Sequence, residues 1–188
     1  MNLPNQEEFE DTLRIICRNK DVDKYNMIKF NRLESDKFTI KAQDTYSNSA
    51  DFGMTVKPMH LYNDVEKTGG MLNVIVLAVG CRVMLRRNKT PSLVSGSMGT
   101  VTGFNWPSLE RNQKDFGELP LGVFIKFDDK EIVKKCQDPL LLDGDSILIK
   151  PELVEFEGKS GKKVSRKMLP LILCWAVTAH KIQGIEGF

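Results

Sequence analysis

The chain turns apolar from Leu169 to Val177, interrupted only by Pro170. A membrane span needs roughly 20 apolar residues, so this run is too short to cross a bilayer. Ile172, Trp175 and Val177 suit a buried strand. The run stops abruptly at Thr178-Ala179-His180-Lys181-Ile182-Gln183-Gly184. A strand buried on both faces that ends in hydroxyl, imidazole, ammonium, amide and glycine has the layout of a site in an open α/β sheet, where ligands sit at the carboxyl ends of strands. A core strand followed by a solvated loop is the alternative. Five polar or special residues within seven positions favour the site.

The same alternation places the other elements. Leu13 to Cys17 reads as a strand that shares a sheet with Leu169–Thr178, and Asn19-Lys20-Asp21 closes it. Asp21 is placed to cap a helix from Val22 to about Leu33, with Val22, Tyr25, Ile28 and Leu33 near helical spacing. Asp36 to Gln43 alternates Phe38 and Ile40 with polar Thr39 and Lys41, as a strand does. Residues 44–60 have no period and read as a loop or insertion, and Asn73 to Ala78 is a β-branched run. From Gly80 to Phe127 the texture changes to short strands separated by glycine turns, which predicts a small antiparallel barrel. Ser146 to Phe156 is strand-like with a break at Pro151. The fold class expected is α/β, with the barrel as a separate unit from Gly80 to about Glu157.

Gly158 to Lys167 is a glycine-punctuated loop with five cations in ten residues. Lys162, Lys163 and Arg166 are candidate phosphate contacts. A solvated hairpin tip is the alternative, because charge runs are often simply exposed.

The string A-V-T-A-H-K-I-Q-G, ending at Gly184, resembles motif V of superfamily-one helicases of the RecD/PIF branch, whose form is roughly A-x-T-hydrophobic-H-K-S-Q-G. Three further pieces occur in the order that the family shows. G-C-R-V-M-L-R-R-N, S-G-S-M-G-T-V-T-G and G-V-F-I-K-F-D-D resemble the family run G-A-R-V-M-L-x-R-N, N-G-x-x-G-x-V and V-x-V-x-F. R-N-K-D-V-D-K-Y-N is similar to the segment N-x-x-V-D-x-I-N that opens the second motor domain, although an ordinary strand-turn-helix explains that piece equally well, with Asn19 and Asn26 as cap and turn residues. The chain therefore looks like a C-terminal fragment of a PIF-like ATP-dependent DNA helicase, a group that includes Helitron-type versions.

The resemblance implies part of a RecA-like motor domain with an inserted small antiparallel β-barrel. Residues 1–79 would open the second motor domain, 80–157 would be the barrel, and 158–188 would return to the motor with motif V. It implies that Thr178, His180, Lys181, Gln183 and Gly184 contact single-stranded DNA and couple it to the nucleotide. Ile182 replaces the usual Ser. Gly184-Ile185-Glu186 is closer to UvrD-like relatives, so Glu186 is a candidate contact to the nucleotide sugar. The parent would use ATP and magnesium, work with a first motor domain of the same protein, and serve DNA repair, recombination and telomere maintenance. A nuclear or mitochondrial location follows if the source is eukaryotic, and a cytoplasmic one otherwise.

Composition narrows the rest. The chain has 188 residues, 41% hydrophobic and 28% charged, which supports one or two domains with a real core. A net charge of +2 means that any basic surface is local. The four cysteines form no C-x-x-C pair, and only His60 and His180 could join them, so a zinc site is not expected and reduced thiols are. The start, MNLPNQEEFEDTL, is acidic and is no secretory signal.

Two local imitations of nucleotide chemistry fail. Gly158-Lys159-Ser160 resembles the end of a phosphate loop, but Leu153 stands where G-x-x-x-x-G-K-[ST] needs its first glycine. Phe124 to Asp129 resembles a strand ending in a magnesium-binding acid, but Lys126 interrupts it and no phosphate loop precedes it. ATP hydrolysis needs both parts, so this chain alone is expected to be inert and to hold neither ATP nor magnesium fully. A stand-alone nucleic-acid-binding module, or a protein-interaction barrel, is the alternative function.

Overall fold

The computed structural model describes residues 13–47, 52–107, 117–136 and 142–179. The chain opens with a two-residue strand β1 (Arg14–Ile15) and the helix α1 (Asn19–Asn31). Val22, Asn26 and Phe30 are the buried positions of α1, spaced by four so that they share one face. The helix starts two residues before the expected cap. Arg18 occupies the N-cap position without a side-chain bond, and Asp21 lies in the first turn, where an acid complements the helix dipole. Asn26 sits mid-helix rather than in a turn.

Next come β2 (Lys37–Lys41) and β3 (Gln43–Tyr46). The single strand expected over Asp36–Gln43 is thus divided at Ala42, whose N–H donates to the Asn73 carbonyl. β2 pairs antiparallel with β4 (Val74–Ala78), while β3 belongs to another sheet.

From Gly80 onward the antiparallel order expected is present, but no barrel closes. β5 (Arg82–Leu85), β6 (Met98–Asn105), β7 (Gly122–Phe127), α2 (Lys130–Lys134), β8 (Leu142–Asp143) and β9 (Ser146–Ile149) follow in turn. They form an open six-stranded sheet ordered β12-β5-β6-β7-β9-β8, with β8 and β12 (Leu171–Leu173) at its edges. Gly99 is required where β6 crosses β7, because a Cβ there would lie 2.5 Å from the Lys126 carbonyl oxygen. Gly96, at φ +96°, turns the chain into β6.

Membership of that sheet overturns two boundaries. β10 (Glu152–Glu157), expected within the barrel, instead pairs with β11 (Lys163–Met168), which pairs with β3. Pro151 separates β9 from β10, and a residue without an N–H is a natural point for a strand to leave its ladder. β12, expected to run unbroken into Thr178, pairs with β5 as Leu171↔Leu85, Ile172↔Met84 and Leu173↔Val83. Only the second half, β13 (Ala176–Val177), reaches β1, and it pairs with it in parallel. The apolar run is therefore two strands in two sheets, joined at Cys174–Trp175.

One core spans these sheets. Phe30, Ile40, Leu77, Leu85, Ile125, Ile149, Val154, Met168, Leu171 and Trp175 belong to one buried cluster. Among the described residues no helix is long and apolar enough to cross a membrane.

Candidate nucleic-acid interface

β1 and β13 run parallel, so their carboxyl ends lie on the same edge. Arg14 donates its backbone N–H to Trp175 O at 3.0 Å, and Ile16 donates to Val177 O at 2.9 Å. Three residues, Ile16 to Arg18, connect β1 to α1, so the first turn of α1 opens toward that edge. This is the βα arrangement that places ligands at strand carboxyl ends. Val177 packs with Met84 and Cys174 in a small buried cluster, flanked by Leu13, Met98 and Ile172. Thr178 follows at the edge and is buried. His180, Lys181, Gln183, Gly184 and Glu186 lie outside the described residues. Of the predicted loop, the structure therefore locates its point of departure.

That departure point is held from α1. The Asn26 side chain receives hydrogen bonds at Oδ1 from the N–H groups of Trp175 (2.9 Å) and Ala176 (2.8 Å). Its Nδ2 donates to Leu173 O at 3.2 Å and to Ala176 O at 3.1 Å. An asparagine in the interior of a helix has low intrinsic propensity. Its place on the Val22/Phe30 face was the readable sign that something other than a turn required it.

The basic segment is the β10–β11 hairpin. Gly158 N–H donates to Lys162 O at 2.9 Å, and Gly161 takes φ +71° at the tip. Lys162 and Lys163 are exposed, and the Lys162 ammonium lies 5.3 Å from the Tyr46 ring centre. Lys159 and Lys67 approach the Tyr62 ring at 5.8 and 5.1 Å. Hairpin tip and cation cluster thus coexist.

Arg166 does not belong to the exposed group, and its candidacy as a phosphate contact is corrected. It is 1% exposed, and it pairs bidentately with Asp44, Nε to Oδ1 at 2.7 Å and Nη2 to Oδ2 at 2.9 Å. Nη1 donates to Met71 O at 3.0 Å, and the guanidinium lies 5.2 Å from the Phe156 ring centre. Strand periodicity explains the inward direction: Val164, Arg166 and Met168 alternate onto one buried face of β11. Each of the three guanidinium nitrogens is already engaged, and a buried charge needs its partner.

A polar cleft of about 650 Å³ lies past the last turn of α1, bordered by Lys29, Arg32, Arg82, Thr100, Asp128 and Trp175. Arg82 makes a two-bond ion pair with Asp128 there, at 2.6 and 2.5 Å. Among the described residues no group of three His, Cys, Asp or Glu side chains could hold a metal ion. The cysteines are free thiols, and burial pushes Cys81 from 9.0 up to about 11.

No family model matches the chain. Curated relatives are ATP-dependent DNA helicases of the PIF1 kind. The chain is 32% identical over 133 residues to PIF1 of Trypanosoma brucei brucei, covering 59% of this chain and 13% of that protein. It is 34% identical over 114 residues to PIF1 of Xenopus laevis, covering 60% and 14%. Against PIF1 of Emericella nidulans it is 26% identical over 208 residues, covering 94% and 26%. The chain thus spans between 13% and 26% of the length of these relatives. Among solved structures it is similar to the Pif1 helicase from Candida albicans, with a TM-score of 0.60 and 24% identity over 92% of this chain and 37% of that one. It is also similar to the Bacteroides Pif1 helicase solved with ADP-AlF3 and single-stranded DNA, at 0.55 and 19% over 98% and 34%. The resemblance carried by the motifs is therefore to PIF1 helicases over most of the chain, and its mixed α/β fold is similar to that of the solved Pif1 structures.

Proposed function

We propose that this chain is the part of a PIF-type, ATP-dependent DNA helicase that carries the coupling loop of the second motor domain, and that it contacts single-stranded DNA. The observation that supports this most is β13. It ends beside β1 on the carboxyl edge of a parallel pair, Thr178 follows at that edge, and His180-Lys181-Ile182-Gln183-Gly184 comes next but one in the sequence. The relatives' activity supports the same reading.

The chemistry of the residues fits. Hydroxyl, imidazole and amide groups hydrogen-bond phosphate or sugar, and Lys181 adds a point charge. Such contacts position a strand without reading its sequence. Gly184 allows a close backbone approach. Exposed Lys162 and Lys163 lend a second, weaker phosphate contact, and Glu186 would approach the nucleotide sugar. β5 to β9 form the inserted element. ATP and magnesium would be held chiefly by a first motor domain of the same protein, since this sequence has no phosphate loop to wrap a phosphate or order its magnesium. With that domain in place, the loop would pass the state of the nucleotide to the strand.

Photocrosslinking tests the contact. A photoreactive oligothymidine is bound to the 188-residue chain, irradiated, and the tryptic peptides are mapped. Crosslinks should concentrate in the peptide from Met168 to Lys181 and the one after it. Crosslinks confined to other peptides would overturn the assignment.

A further inference from the structure

We propose that Asn26 is a positioning residue for the nucleic-acid loop, an inference that rests on the reading of that loop as a DNA contact. Its amide fixes the link between two sheets, and so fixes where the chain leaves β13 toward Thr178 and Lys181.

The Trp175 N–H and both backbone groups of Ala176 in this link are bonded from α1, by Asn26. Leu171–Leu173 is bound to β5, and Ala176–Val177 is bound to β1 through only two register pairs. Cys174 and Trp175 lie between the two strands, with Cys174 N–H donating to Arg82 O of β5 at 2.9 Å and Trp175 O accepting from Arg14 N–H of β1 at 3.0 Å. Asn26 spans that gap from a third element. A side-chain amide has two donor hydrogens and one oxygen with two lone pairs, and all four are used here, on Leu173, Trp175 and Ala176. At 5% exposure water does not replace them. No other residue type satisfies both the N–H and the carbonyl groups from this position. Leucine matches the volume and leaves four groups unpaired. An ionised carboxylate serves the two N–H groups and faces the two carbonyls unfavourably. Glutamine is one methylene too long for a packed helix face. Ala176 is bonded through both its N–H and its C=O, so the orientation of this peptide relative to α1 is determined. Thr178 is two residues further on, so a rotation at the link is carried directly to it.

The experiment uses the full chain, with Asn26→Asp and Asn26→Leu beside the unaltered protein. Amide-exchange protection factors are measured at Trp175, Ala176 and Thr178, and at Val101 and Ile125 in the six-stranded sheet. Oligothymidine affinity is followed by fluorescence anisotropy in the same samples. In Asn26→Asp at neutral pH, protection at the link should fall about tenfold or more, with Val101 and Ile125 unchanged and the affinity lowered. Protonating the introduced carboxyl restores a donor toward a carbonyl. Facing oxygens raise its folded pKa above the unfolded one, so the variant's deficit appears as pH rises and disappears as pH falls. Protection and affinity should recover together at low pH in Asn26→Asp and not in Asn26→Leu. Loss spread evenly over the sheet, absence of recovery, or faster exchange with unchanged affinity would overturn the positioning role. Absence of binding by the unaltered chain would instead overturn the DNA reading, leaving exchange to decide whether Asn26 holds the link.

Discussion

Arg166, Asp44 and Cys81 show what burial does to individual groups. Arg166→Ala leaves the Asp44 carboxylate buried without its partner, and breaking such a pair costs about 3–5 kcal/mol. Thermal unfolding of this variant should therefore show a large loss, while Lys163→Ala, exposed on the same strand, should stay within about 0.5 kcal/mol. An Arg166→Ala chain as stable as the parent would contradict the ion pair. Cys81 makes a pH prediction. Burial holds its folded pKa at about 11 against 9.0, so folding favours the neutral thiol. The associated stability is fully present below pH 9.0 and is lost as pH rises toward about 11. The loss is at most about 2–3 kcal/mol. Cys81→Ala should flatten the stability curve of the chain between those values, measured by denaturant unfolding at each pH, whatever its absolute stability. Identical slopes would count against the shift. Arg166 was misassigned from sequence because a run of cations hides the alternation of Val164, Arg166 and Met168. Only the partner on β3, 122 positions away, reveals which of them turns inward.

Elements were legible where local pattern decides and illegible where a distant partner does. β5, β6 and β7 lie where alternation and glycine turns place them, and α1 lies within three residues of its periodicity. The run from Leu169 to Val177 did not divide on paper, since both halves are equally apolar. The division depends on β5 offering an open edge to one half, on β1 receiving the other, and on Asn26 binding the link. The barrel expectation failed similarly: glycine-separated antiparallel strands are common to a closed barrel and an open sheet, and closure depends on the pairing of the end strands. Gly99 tests the register of this sheet. Gly99→Ala puts a methyl group against Lys126 O and the Ile125 side chain, and should cost about 2 kcal/mol or more. Gly103→Ala, whose nearest neighbour would be a Phe124 ring atom at 3.8 Å, should cost clearly less. Equal melting temperatures for the two would contradict the β6–β7 alignment.

On the scale of the whole molecule, one buried cluster joins α1, the β2–β4 pair and the six-stranded sheet, and the candidate interface stands at the carboxyl end of β13. The ordered motifs made the family resemblance readable, because each combines a glycine turn or strand end with a particular polar group. The geometry behind them was not readable, because the Asn26 bonds and the β12–β5 pairing join residues far apart in sequence. The chain as it stands should turn over no ATP, with or without oligonucleotide. Phosphate release above that of a Thr178→Ala, Lys181→Ala double variant would contradict this. The central claim is a phosphate contact at the carboxyl edge of β13. Its most direct test is the salt dependence of oligothymidine binding by the 188-residue chain and by Lys181→Ala. A lysine on a single-strand phosphate contributes about 0.7 to the slope of log affinity against log salt. The substitution should reduce the slope by about that amount and weaken all sequences alike. An unchanged slope for Lys181→Ala would contradict the account.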